Sequence, residues 1–111
     1  MVPAKLNLDR IAELVVGVDR LARDIPSALT DLRSVEGTSL SRSLPTLSEA
    51  LRLAISLEVP PTQLAVDAAN LEACFRRLQQ LSVGSRLSST SKAALDLGVA
   101  LASQLASEFK A

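Results

Sequence analysis

The stretch "LDRIAELVVGVDRLARDIPSALTDLRSV", residues 8–35, decides the fold. Ile11, Val18, Ile25 and Leu32 recur every seven residues, and Leu14, Leu21, Ala28 and Val35 repeat the interval three positions later. Val15, Ala22 and Leu29 widen this stripe beyond the narrow seam of a two-stranded coiled coil, which predicts a helix facing several others in a bundle. Asp19 with Arg23 and Arg20 with Asp24 add oppositely charged pairs at i,i+4 spacing. Pro26 removes one backbone hydrogen bond and crowds the preceding turn. The seven-residue phase continues across it, so the reading is one long helix kinked at Pro26, with Gly37 as its stop.

Beyond that helix, "EGTSLSRSLPT", residues 36–46, reads as a loop of Ser, Thr and Gly. Thr46 followed by Glu49 has the spacing of a capping box and predicts a second helix from about Leu47. "LRLAISLEV" alternates like a strand, but Leu47, Ala50, Leu51, Ala54 and Leu57 also share a helical face. No second strand candidate exists to pair with it, so helix is the consistent choice. Pro60 and Pro61 end this segment, and Pro61 suits the first position of the next helix, where a missing N–H costs nothing. Leu64, Ala68, Leu71, Phe75, Leu78 and Leu81 make one face of a third helix to about residue 82. Gly84 and a Ser-rich turn follow, and Ser89 or Thr90 is placed to cap a fourth helix running to about Phe109. The expectation is a single all-α domain over residues 1–111, a four-helix antiparallel bundle.

Composition narrows the function classes. The chain has 111 residues, with 12 basic and 12 acidic side chains, no His, one Cys and two Phe as its only aromatics. Balanced charge argues against a nucleic-acid footprint and against a polybasic membrane-surface protein. No apolar run reaches the length of a membrane span, and the start "MVPAKLNLDR" has no cationic and apolar signal pattern. A lone Cys74 fits a reducing compartment, so a cytoplasmic location is expected.

Catalytic equipment is sparse. Ser89-Thr90-Ser91-Lys92 has the spacing of an S-x-x-K nucleophile motif, but companion motifs are missing and a Ser at a helix start is ordinarily a cap. Cys74 falls on or beside a buried stripe and has no His to activate it. Asp9 and Glu13 lie on a solvated face, and four scattered Gly build no phosphate loop. No cofactor and no metal are therefore expected, and the chain reads as a non-enzyme.

The closing segment "AALDLGVALASQLASEF", residues 93–109, carries the strongest expectation of a site. Ala94, Gly98, Ala102 and Ala106 form a ridge of small side chains, beside a ridge of Leu97, Leu101, Leu105 and Phe109. Small residues let another helix approach closely. Asp96, Ser103, Ser107 and Lys110 leave only a thin polar seam, so the apolar arc exceeds what a peripheral helix needs. Either this helix is central within its own chain or a second chain covers part of it. On the second arrangement Ala94, Gly98, Leu101, Ala102, Leu105, Ala106 and Phe109 bind a partner, either a copy of the same chain or another helical protein.

The leading functional expectation is thus a protein–protein interaction module, an adaptor, assembly factor or small helical chaperone that self-associates. A small exported helical protein, with Val35-Glu36-Gly37 at a helical hairpin, is a second class. A nucleic-acid-binding regulator using Arg52, Arg76, Arg77 and Arg86 is a third, disfavoured by the neutral charge.

Overall fold

The computed structural model describes residues 8–29 and 34–110, and all statements below concern these. Four helices follow one another: α1 (Leu8–Ala28), α2 (Val35–Ser56), α3 (Pro61–Ser82) and α4 (Ser89–Lys110). Each packs on its neighbours in sequence, and α1 also packs on α4, with no contact across either diagonal. Successive cross-helix contacts run in opposite directions, as between Arg77 and Glu36 followed by Cys74 and Leu40. The architecture is an all-α, antiparallel four-helix bundle.

The core is aliphatic. Ile11, Leu14, Val18, Ala22 and Ile25 of α1 are buried, in the phase read from the seven-residue repeat. They share one core with Leu44 and Leu51 of α2, Leu71, Phe75 and Leu78 of α3, and Leu95, Ala102 and Leu105 of α4. The closest approach is between α3 and α4: a Cβ added to Gly98 would lie 2.5 Å from two ring carbons of Phe75. Glycine is required there by a neighbouring ring, not by backbone conformation.

Two boundaries differ from the sequence reading. Pro26 does sit inside α1, but the helix ends at Ala28, two residues later, and no single helix continues to residue 35. Leu32, on which the extension rested, lies outside the described residues. A fresh helix begins at Val35, capped by the Ser34 hydroxyl, which accepts from the Gly37 backbone N–H at 3.0 Å. The second difference follows from the first. The predicted loop over residues 36–46 is the first half of α2. Ser41 and Ser43 donate their hydroxyls to the carbonyls of Thr38 and Ser39, so these side chains bond within the helix instead of breaking it. Leu40, Leu44, Leu47 and Leu51 give that half its inward stripe. Pro45 is accommodated inside the helix, and the Thr46–Glu49 pair sits in mid-helix and caps nothing.

The remaining turns follow local chemistry. α2 ends with the N–H of Glu58 on the Ile55 carbonyl and that of Val59 on the Ala54 carbonyl. This is a Schellman closure with Glu58 in the left-handed region at φ 56°. Pro61 is the first residue of α3, as expected. Gly84 takes φ 75° in the turn to α4. The cap of α4 is Ser88, one residue before the predicted Ser89 or Thr90: its hydroxyl accepts from the Ser91 N–H at 3.1 Å.

Candidate functional site: an apolar strip across the first two helices

The α4 ridge expected to hold a partner is covered by its own chain. Gly98, Ala102, Leu105, Ala106 and Phe109 are buried, while Ala94 and Leu101 are half-buried and pack at the edge of the core. Of the adjacent ridge only Leu97 is open to solvent. The wide apolar arc is explained by two flanking helices: α3 lies on it through Phe75, and α1 through Gly17, which faces the Leu101 side chain. The two neighbouring helices cover most of this segment, and five of the seven residues are buried within their own chain.

An exposed apolar strip lies elsewhere. Leu8 and Val16 on α1 are 71% and 61% exposed, and Leu53 and Leu57 on α2 are 54% and 75% exposed. Because α1 and α2 run in opposite directions, the start of one lies beside the end of the other. A groove of about 360 Å³ runs between them, lined by Leu8, Ile11, Ala12, Val15, Val16, Leu53 and Ile55 among others. Its walls are nearly all aliphatic, and its polar rim is supplied by Glu49, Arg52 and Ser56. Scattered exposed hydrophobes are ordinary on a soluble protein, but a contiguous group flanked by charge marks a contact surface.

One end of the groove is fixed by a polar cluster. The Asp19 carboxylate accepts from Arg23 Nε at 3.0 Å and from the Ser48 hydroxyl at 2.9 Å. Arg52 approaches the same carboxylate at 3.8 Å, and both Arg23 and Arg52 reach Glu49, at 3.4 and 3.3 Å. Burial pushes the Asp19 carboxyl up, but the hydrogen bonds from Arg23 and Ser48 and the charges of Arg23 and Arg52 outweigh it. The net effect holds Asp19 below the ordinary carboxylate range. The cluster ties α1 to α2 in one register at Asp19 and Ser48.

Lys92, Cys74 and Glu13, three of the groups considered for chemistry, have partners within the chain. Lys92 Nζ donates to the Ser85 carbonyl at 3.4 Å, and Ser89 is exposed at the helix start. Cys74 is buried with its thiol donating to the Leu40 carbonyl at 3.4 Å, and burial pushes its pKa up to about 11. A thiol so placed is protonated at neutral pH and a poor nucleophile. Asp9 and Glu13 lie on the exposed side of α1, and Glu13 pairs with Arg10 at 3.8 Å. Three of the four arginines considered for nucleic acid are ion-paired: Arg52 as above, Arg76 with Glu72 and Arg77 with Glu36. Among the described residues no three His, Cys, Asp or Glu gather as metal ligands would, and no helix is long and apolar enough to cross a membrane.

Comparison with family models, with curated proteins and with solved structures finds no match to this chain.

Sequence reasoning missed the strip because Leu8, Val16 and Leu53 fall outside the inward stripes, and Leu57 was placed on one. The available signal was surplus: residues 8–16 hold more large apolar side chains than one buried face can take. So does "LRLAISLEV", in which Leu51 turns inward while Leu53 and Leu57 stay out.

Proposed function

We propose that the protein is a non-enzymatic interaction module that docks an amphipathic helix against the α1–α2 groove. The observation that carries this reading is the exposed Leu8, Val16 and Leu53 lining one aliphatic groove, with the exposed Leu57 one turn beyond Leu53. A helix laid along it would bury its apolar stripe there, with affinity from excluded apolar area and orientation from the charged rim. The reading places the partner surface on α1 and α2, not on the α4 ridge. An adaptor or a small helical chaperone works in this way, and the ion-paired arginines and buried Cys74 favour it over nucleic-acid binding or catalysis.

The test is titration of the isotope-labelled protein with a synthetic amphipathic helical peptide bearing a Leu and Ala face. Amide shifts should concentrate in residues 8–16 and 49–57, and Leu53→Arg should abolish them. Shifts spread over all four helices, or binding untouched by Leu53→Arg, would sink the reading.

A further inference from the structure

We infer that the occupant of the α1–α2 groove is a second copy of this chain, packed with α1 antiparallel to the partner's α1 about a two-fold axis level with Ala12. This rests on the docking surface proposed above and adds the identity and geometry of what covers it.

The strip is symmetric end for end about one level. On α1, Leu8 and Val16 stand one turn either side of Ala12 in a single i,i+4 row. On α2 the level is set by the Asp19–Ser48 hydrogen bond. Leu53 and Leu57 lie five and nine residues beyond Ser48, and the antiparallel neighbour of Asp19 moves back by the same steps, to levels 14 and 10 of α1. These also bracket Ala12. Turning one copy end for end therefore sets Leu8 on the partner's Val16 and Leu53 on the partner's Leu57, with the small Ala12 at the crossing. A two-fold contact requires this self-complementarity, and a small central residue permits a close helix approach.

Charge agrees with that geometry. Asp9 and Arg20 are exposed on the same flank of α1, and neither makes an ion pair among the described residues. Eleven residues apart on one helix, they are separated by about 16 Å along the axis and cannot meet within a chain. In the two-fold arrangement Asp9 comes within about 8 Å of the partner's Arg20 along the axis, inside the reach of an arginine side chain, and symmetry makes the pair twice. The chain's zero net charge leaves no overall repulsion between copies.

Area sets the strength. Four half-to-three-quarters exposed aliphatic side chains offer roughly 300 Å² of apolar surface per copy. With the usual polar share, the two copies would bury on the order of 1,000 Å², the lower end for a specific interface. The expected state is a weak dimer, forming over micromolar to millimolar concentrations.

Sedimentation equilibrium of the full chain from about 10 μM to about 1 mM should show a monomer–dimer equilibrium, which Leu53→Arg shifts to monomer. Asp9→Arg and Arg20→Asp should each weaken the dimer about fivefold, and the double swap should restore it, an outcome no intrachain pair can produce. Ala12→Cys should cross-link to its own copy under mild oxidation, while Val83→Cys, 80% exposed at the α3–α4 turn, should not. Circular dichroism checks that these surface variants keep native helicity. A protein monomeric at 1 mM, or a dimer with no charge-swap rescue and no Ala12→Cys cross-link, overturns the second copy. If that monomer still binds the amphipathic peptide in a Leu53-dependent way, the docking reading stands and only the occupant was wrong. If it does not, both fall.

Discussion

At the scale of single residues, the described residues contain one avoidable strain, at Glu58, and two helical glycines of opposite meaning. Glu58 holds φ 56° at the position where the α2 Schellman closure needs a left-handed residue. A side chain pays a steric penalty there that glycine does not. Glu58→Gly should therefore raise stability by about 0.5–1 kcal/mol, seen as a midpoint a few degrees higher in thermal melting. A lower midpoint would show that the glutamate side chain contributes more than its backbone costs. Gly98 and Gly17 both lie inside helices, where alanine is intrinsically favoured by about 1 kcal/mol. At Gly98 the new methyl would meet the buried Phe75 ring, which has no room to withdraw, so Gly98→Ala should destabilise by about 1–3 kcal/mol. At Gly17 it would meet only a terminal methyl of the half-buried Leu101 side chain, at 3.1 Å. Gly17→Ala should be neutral or stabilise by up to about 1 kcal/mol. Denaturation midpoints of the two variants on opposite sides of the native protein are the expected result; equal losses would refute the packing account.

At the scale of elements, helix identity was legible in the inward stripes, and so were the bounds of α3, but the break between α1 and α2 was not. The phase of Ile11, Leu14, Val18, Ala22 and Ile25 specified both the helix and its buried face. The same phase, carried past Pro26, suggested continuity where the chain instead restarts at Ser34. A run of Ser and Thr then masked the first half of α2. Such residues disfavour helix because their hydroxyls compete for backbone groups, and here Ser41 and Ser43 compete only for carbonyls of their own helix. The α1–α2 seam carries a prediction of its own. Asp19 in the folded chain titrates below its ordinary value, so the unfolded chain binds the extra proton as acid is added. The stabilisation from Asp19 is complete above about pH 4, where the unfolded carboxyl is ionised, and is lost as pH falls through the lower folded value. Asp19→Asn should cost on the order of 1 kcal/mol at pH 7 and flatten the acid limb of the stability curve below about pH 4. An acid limb identical to that of the native protein would exclude Asp19 as its source.

At the scale of the whole molecule, the four helices are not equally secured. α3 and α4 share the most extensive contact, with Phe75 seated on Gly98 and with Ala102 and Leu105 fully buried. The α1–α2 pair is looser and carries the exposed Leu8, Val16, Leu53 and Leu57 on its outer side. This division explains why the α4 ridge was misleading as a site. A small-residue ridge signals close helix approach, whether the approaching helix belongs to the same chain or to another, and sequence periodicity contains no term that tells them apart. Burial does, and it assigns the ridge to the core and leaves the aliphatic surplus on α1 and α2. Local opening follows buried contact density, so native-state hydrogen exchange at low protein concentration should rank the helices accordingly. Amides of Leu71–Leu78 and Leu95–Leu105 should exchange slowest, near the global unfolding limit. Those of Leu8–Val16 should exchange fastest within the helices, at least tenfold sooner, corresponding to about 1.4 kcal/mol less local stability. Raising the concentration into the dimer range should slow the amides of Leu8–Val16 and of Leu53–Leu57 and leave those of α3 and α4 unchanged, because a second copy would cover that face of α1 and α2. Uniform protection across α1 and α3 would contradict the ranking. Concentration-independent exchange in Leu8–Val16 would contradict the dimer.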